Sequence, residues 1–297
     1  MDKYLIINAD DFGMCHSMNV AIEDLLKKGC ITSSTIMTPC QWAPEAVKFA
    51  KENPEFAIGA HLTTTSEWSL YRWSPVNTEN TSSLRDEEGF MWHESDDFEK
   101  HADLGETKAE IKAQIERLKS WGFTPSHCDN HMGSLYGIYT GRFELLTTVI
   151  DVCAEYGFPF RMMTKINDAQ LNNKMLDINV PKDMVESLLG EIDSYAAEKK
   201  VALLDYLMPG DWAGDQDKSY ENYKEYIYEL YRTFDNGITE TYIHPSVESD
   251  EIKAITGKWN RRVWEYRLFS DPQTKQHIDS LGIKLINYRD LKKMRNY

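Results

Sequence analysis

Apolar and polar positions in the N-terminal part of the chain form a pattern that predicts parallel strands joined by helices. An apolar run at 5–7 leads into the polar end of a first strand at 8–13. Apolar residues then recur at helical spacing over 17–28, and Gly29 ends that helix. Strands predicted at 31–37 and 56–64 flank a second helix at 42–52. This β-α-β-α-β order implies a parallel sheet with helical crossovers.

The pattern stops at 65–106, where few apolar positions are periodic. Because a structureless insertion of this length is usually functional, we expect 65–106 to be a lid or a binding loop. Further helices are predicted at 108–121, 143–156, 184–199, 220–234 and 264–281, and further strands at 126–131, 160–164, 203–208, 238–243 and 284–288. About seven or eight such units, without a break in composition, predict one domain over 1–297, a (β/α) barrel that is closed or nearly closed.

Composition narrows the range of partners. The chain has 33 Lys+Arg against 48 Asp+Glu, a formal charge of −15, so we expect it to bind neither nucleic acid nor an anionic membrane surface. No stretch is apolar for long enough to span a bilayer, and the N-terminus lacks the layout of a signal peptide. The five cysteines follow no disulfide pattern, which predicts reduced thiols and a cytoplasmic location.

Polar residues with metal-binding chemistry stand where the predicted strands end. Asp10 and Asp11 end the first strand, His61 lies near the end of the third, the segment 127–131 ends the fourth, and His244 ends a late one. In (β/α) barrels the C-terminal ends of the strands carry the chemistry. Adjacent buried carboxylates repel each other unless a cation or a shared proton is present. Imidazole and carboxylate ligands therefore indicate a catalytic site for zinc or a similar ion, although a helix cap and core histidines remain the alternative.

The two histidines of the segment 127–131 cannot both bind one ion if the segment is a strand. Alternation places His127, Asp129 and His131 on one face, with the two histidines ~13 Å apart. We therefore expect His131 alone to reach the mouth of the barrel. His127 and Asp129 would lie deeper, as supporting or core polar groups.

These motifs resemble those of the YdjC-like carbohydrate deacetylases, of which chitooligosaccharide deacetylase is the best-known member. The matching segments are Asn8-Ala9-Asp10-Asp11-Phe12-Gly13, Gly59-Ala60-His61-Leu62, His127-x-Asp129-x-His131 and His244-Pro245. The resemblance implies a barrel related to the polysaccharide deacetylases and a divalent ion. Two imidazoles and a carboxylate favour zinc, with magnesium or another ion as alternatives. The resemblance also implies residue roles: metal ligands Asp11, His61 and His131, catalytic base Asp10, general acid His244, and a site arginine, Arg161.

Other features bear on the substrate. Many members of the family have a further histidine where this chain has Gly133, so the identity of the sugar stays open. Trp68, Trp73 and Trp212 are candidates either to stack on a sugar or to pack the insertion and loops onto the barrel. Arg161 is alternatively a plain ion-pair partner of Asp10 or of another acid. The tyrosine-rich helix at 220–234 is either an outer helix or the face of a homodimer.

The expected activity is metal-dependent hydrolysis of the N-acetyl group of an amino sugar or a short oligosaccharide, which gives acetate and a free amine. A metal-dependent phosphoesterase is the rival enzyme, but it would need a cluster of Lys and Arg or a second metal, and the sequence offers only Arg161 and Arg72 at the expected mouth. A sugar-binding barrel without turnover is the rival from another class.

Overall fold

The computed structural model describes residues 2–29, 31–176 and 178–297. Within them lie the strands β1 (Lys3–Phe12), β2 (Ser33–Ile36), β3 (Ala57–Leu62), β4 (Cys128–Asn130), β5 (Tyr206–Leu207), β6 (Gly237–Ile243) and β7 (Ile283–Leu285). The helices are α1 (His16–Lys28), α2 (Ala43–Glu52), α3 (Ser95–His101), α4 (Leu104–Ser120), α5 (Glu144–Tyr156), α6 (Asp168–Leu171), α7 (Lys182–Glu198), α8 (Tyr220–Arg232), α9 (Asp250–Ile255), α10 (Trp259–Ser270), α11 (Pro272–Ser280) and α12 (Tyr288–Met294).

All strand pairs are parallel, in the order β4-β3-β2-β1-β6-β5, with β7 paired to the start of β1. The two outer strands are joined through the segment 160–163. Cys128 of β4 bridges Phe160, and Met163 bridges Leu204, just before β5. The hydrogen-bonded path therefore runs all the way round, which confirms the predicted (β/α) barrel. Among the described residues, its 160–163 side is joined to the neighbouring strands by isolated bridges and not by a continuous ladder.

The interior of the barrel is layered. Residues of β1 alternate between the helix layer, which takes Leu5 and Ile7, and the interior, which takes Ile6. Ile6 packs with Leu204, Ile238 and residues of α12 such as Tyr288, which close the N-terminal end of the barrel with an apolar floor. The next interior position along β1 is Asn8, fully buried, and it begins a polar layer that leads to the C-terminal mouth.

The expectation that 65–106 has no structure of its own is wrong. The segment contains a 3₁₀ turn at Ser82–Leu84, the helix α3 and the start of α4. Isolated bridges Thr65↔Trp92 and Arg85↔Met91 fold it back on itself. Side-chain hydrogen bonds hold this segment together, and they leave no periodic pattern of apolar residues in the sequence.

Two further predictions at the C-terminus need correction. The helix expected at 264–281 is two helices, because Asp271-Pro272 ends α10 and starts α11. The strand expected at 284–288 ends at Leu285, and Asn287 caps the short helix α12. None of the helices in the described ranges is both long and apolar enough to cross a membrane.

Candidate metal centre

The adjacent carboxylates Asp10 and Asp11 both reach the mouth of the barrel because β1 contains a bulge. Three steps along β1, from Ala9 to Phe12, match two steps along β2, from Ser34 to Ile36. Asp11 has a positive φ of 63°, so the regular alternation of side chains is broken at this residue. Gly13 follows with a φ of 90°, and a Cβ there would lie 2.7 Å from the Cα of Ala43.

Asp11, His61 and His131 turn one ligand atom each toward a common centre. His61 Nε2 and His131 Nδ1 each lie 3.4 Å from Asp11 Oδ1, and the two nitrogens are 3.3 Å apart. Bond lengths of about 2.0–2.2 Å with tetrahedral angles require ligand atoms roughly 3.3–3.6 Å apart. Asp11 Oδ1 is buried and accepts no hydrogen bond from any residue of the described ranges. The donor set and its spacing therefore fit one metal ion.

Each of these three side chains has a polar partner on the atom that faces away from the common centre. Asp129 Oδ1 lies 2.7 Å from His61 Nδ1, and Glu67 Oε2 lies 3.0 Å from His131 Nε2. Arg262 Nη1 donates to Asp11 Oδ2 at 2.9 Å. Such partners fix the tautomer and direction of a ligand. Each side chain therefore keeps one potential ligand atom without such a partner, and these three ligand atoms converge on the common centre.

Arg161 lies under the mouth and joins three buried carboxylates. It donates to both oxygens of Asp10, at 2.7 and 2.6 Å, and its Nε donates to Glu240 Oε1 at 2.8 Å. Its Nη2 also lies 2.9 Å from Asp129 Oδ2. Tyr288 donates to the second oxygen of Glu240. Asp10, His61 and Asp129 also form a group with metal-ligand spacing, but both of its carboxylates are already ion-paired with this guanidinium.

The electrostatics of the centre favour a cation. Burial opposes charge on the rings, but Asp129 and Asp11 outweigh it and raise the pKa of His61 to about 10. Glu67 and Asp11 likewise raise the pKa of His131 to about 9 against its burial. Burial raises the pKa of Asp11, yet His244, the two other histidines and Arg262 hold it well below its usual range. The pocket thus stabilises positive charge, whether carried by protons or by a metal.

His244 follows β6 and is in a different electrostatic environment. Burial lowers the pKa of His244 to about 4, and Arg262 adds to this effect while Asp11 opposes it. Its backbone N–H donates to Glu265 at 2.6 Å, while the buried Nδ1 has no hydrogen-bond partner in the part of the chain that the structure describes. The Trp212 ring lies edge-on, with centroids 5.2 Å apart. The imidazole is therefore neutral near pH 7 in this structure.

Of the other predicted site residues, some are buried in the core and others lie at the mouth of the barrel. His127 is fully buried, stacks on Tyr288 at 3.7 Å between ring centroids and joins neither group of potential ligands. Trp73 is 3% exposed and donates to the Thr65 carbonyl, so it packs the insertion onto the barrel. Trp68 and Trp212 are half-buried, and each ring centroid lies 5.7 Å from the Arg262 guanidinium.

Among the residues that contact the predicted ones and that sequence reasoning missed are Glu240, Arg262 and Glu67. Glu240 could have been found, because a carboxylate inside the apolar strand pattern of β6 is unusual. Arg262 gave no signal, since Arg261, Arg262 and Glu265 on one helix look like an exposed charged face. Glu67 stands in the non-periodic insertion, where no pattern distinguishes it from the neighbouring acids.

Comparison with known proteins identifies the family. Residues 4–280 match the family described as YdjC-like protein. The chain belongs to this family. The YdjC-like chain is 27% identical over 293 residues to a carbohydrate deacetylase of Enterococcus faecalis, with 98% of each chain covered. It is 25% identical to a carbohydrate deacetylase of Geobacillus stearothermophilus over 99% of this chain and all of that one.

A solved structure gives the same result for the fold. It is that of a protein from Enterococcus faecalis V583 named for cellobiose-phosphate cleavage, 26% identical, with a TM-score of 0.74. The match covers 98% of the YdjC-like chain and 99% of the other. The predicted family and barrel fold are thus confirmed along nearly the whole length.

Proposed function

We propose that this YdjC-like protein is a metal-dependent deacetylase that hydrolyses the N-acetyl group of an amino sugar or a short oligosaccharide. The observation that carries the proposal is the convergence of Asp11 Oδ1, His61 Nε2 and His131 Nδ1 within 3.4 Å of one another. Relatives named carbohydrate deacetylase match nearly all of the chain and support the sugar as the substrate class.

In this proposal Asp11, His61 and His131 hold one divalent ion, zinc first, because two imidazoles and a carboxylate suit that metal. Magnesium or another divalent ion is the alternative. When bound, the ion supplies an activated water and polarises the acetyl carbonyl. The protein's part is to keep these three ligand atoms in place.

Asp10 is the proposed catalytic base. Burial raises the pKa of Asp10, but the Arg161 guanidinium outweighs it, so the carboxylate is ionised at neutral pH. Arg161 and the Asn8 amide, 2.7 Å from Asp10 Oδ1, fix its orientation. Asp10 Oδ1 accepts from both Arg161 and Asn8, whereas Oδ2 accepts from Arg161 and keeps a lone pair, with which Asp10 can take a proton from the attacking water.

His244 is the proposed general acid. It is neutral in the resting structure, and we infer that it takes up a proton from solvent as negative charge builds on the acetyl oxygen, since nearby negative charge raises an imidazole pKa. It then protonates the departing amine nitrogen. The products are acetate and the free amine.

Trp68 and Trp212 border the mouth, and we propose that their half-buried rings face the sugar. The family resemblance implies a histidine at the position of Gly133, whose φ of 67° suits glycine. A histidine would change the wall of the pocket here, so Gly133 bears on which sugar fits.

The test is acetate release from a panel of N-acetylated mono-, di- and oligosaccharides, with metal content measured on the same sample. We expect release from at least one sugar, loss with chelator and recovery with zinc or another divalent ion. Sugar binding without acetate release would favour a binding protein. Phosphate release from a sugar phosphate in place of acetate would favour a phosphoesterase, and either result would overturn the proposal.

A further inference from the structure

The insertion at 65–106 contributes a carboxylate to the metal centre. Glu67 Oε2 lies 3.0 Å from Nε2 of His131, the ring nitrogen that faces away from the centre. The His131 side chain is 5% exposed and that of Glu67 is 17% exposed, so the pair is largely shielded from water. Trp73, from the same insertion, lies against the His131 ring at 6.0 Å between centroids.

The backbone around Glu67 is held on both sides. Ser66 N–H donates to the Trp92 carbonyl at 2.7 Å, and Ser66 Oγ accepts from the N–H of Trp73 at 3.0 Å. The Glu67 carbonyl itself lies 3.3 Å from His93 Nδ1.

Arg72 joins Ser66 and His93, the two residues that hold the backbone around Glu67. Its Nη1 lies 2.5 Å from His93 Nε2, and its Nε donates to Ser66 Oγ at 3.2 Å. Asp86 accepts from Arg72 Nη2 at 2.6 Å, so the guanidinium is fixed in turn. Because Arg72 must donate to His93 Nε2, His93 Nδ1 carries the proton and donates to the Glu67 carbonyl. The insertion is thus a hydrogen-bonded frame that presents Glu67 to His131.

From this geometry we infer that Glu67 is a positioning residue for the metal centre, and that the insertion sets the metal affinity of the barrel. If Nδ1 of His131 binds the ion, Nε2 must carry the proton and needs an acceptor. The Glu67 carboxylate accepts a hydrogen bond from this Nε2–H, which fixes the tautomer and the ring plane and makes Nδ1 a stronger donor toward the ion. The inference rests on the proposed function only through the metal centre.

The experiment compares the wild-type protein with Glu67→Ala and Glu67→Gln. Affinities for Zn²⁺ and Co²⁺ are measured by competition with a chromophoric chelator, and the melting temperature is measured without metal. We expect Glu67→Ala to raise the Kd about 10–100-fold, as is usual for loss of such a partner. Glu67→Gln keeps an oxygen acceptor but loses the charge, so its Kd should fall between the two.

Glu87→Ala is the matched control, since Glu87 is an exposed glutamate in the same insertion. Its Kd should equal that of the wild type. If both Glu67 variants bind metal as tightly as the wild type, the inference is wrong even when the deacetylase proposal holds. A purely structural role would lower the metal-free melting temperature and leave the Kd unchanged, which also overturns it. A wild-type protein that binds neither ion would instead refute the proposed metal centre.

Discussion

Arg161→Met offers a demanding test of the polar layer inside the barrel. The side chain of Arg161 is 2% exposed, and it is the cation that Asp10, Asp129 and Glu240 share. Methionine fills much of the same volume without the charge. Removing one partner of a buried ion pair typically costs about 3–5 kcal/mol, because the remaining charges stay buried without compensation.

The size of the effect on melting follows from chain length. An unfolding entropy of about 2.1 cal/mol/K per residue gives roughly 0.6 kcal/mol/K for 297 residues. A loss of about 3–5 kcal/mol then lowers the melting temperature by roughly 5–8 °C. The drop in melting temperature of Arg161→Met should be smaller at about pH 5 than at about pH 8, because the uncompensated carboxylates can bind protons and lose their charge.

The measurement is calorimetry on metal-free protein at both pH values, with two comparison variants. Arg161→Lys keeps the charge but cannot donate hydrogen bonds to both oxygens of Asp10 and to Glu240 at once. Its loss of stability should therefore be intermediate. Arg232→Met removes an arginine that is 54% exposed and pairs with Glu229, and it should change stability by less than about 1 kcal/mol. If Arg161→Met melted like the wild type at both pH values, the idea that this guanidinium compensates three buried acids would be untenable.

Three further predictions concern single residues. Asp10→Asn should keep its metal, measured by elemental analysis, but lower the rate of acetate release by about 10²–10⁴-fold, as expected for loss of a general base; an unchanged rate would exclude that role. His61→Ala should lose metal during gel filtration and lose activity with it, and stoichiometric metal in the purified variant would contradict the ligand assignment. Burial raises the pKa of Glu240 from 4.5 to about 7, so the folded wild type binds this proton more tightly than the unfolded chain and loses stability as pH rises between those values. Glu240→Gln lacks this titration, so its stability should rise relative to that of the wild type as the pH increases over this interval. Urea unfolding at several pH values measures the difference. If the stabilities of the two proteins changed in parallel with pH, the prediction would be wrong.

The framework of the barrel and the positions of the proposed ligands could be read from the sequence. Apolar periodicity located the strands, and the rule that chemistry lies at their C-terminal ends placed Asp10, Asp11, His61 and His131 at one end of the barrel. The family resemblance then implied which of them bind the metal. The strand-period argument separated His131 from His127 correctly in space: one turns to the centre, and the other stacks on Tyr288 below it.

The groups that support the ligands could not be predicted in the same way. Arg262 is 251 residues from Asp11 in the chain, and nothing local to either residue indicates the contact. Glu67 depends on a frame built from side-chain hydrogen bonds, which leaves no periodic pattern in 65–106. Contacts of this kind depend on tertiary geometry alone.

The bulge in β1 limits how this constellation can be transferred to another protein. A left-handed backbone conformation costs a residue with a side chain about 1–2 kcal/mol, and Asp11 adopts it because the fold around it compensates. A designer who grafted two consecutive aspartates onto a straight strand would send one into the barrel and the other into the surrounding helices. The backbone kink would have to be copied together with the side chains, and deletion of a single residue from it would separate the two carboxylates even though the amino-acid motif looked nearly intact.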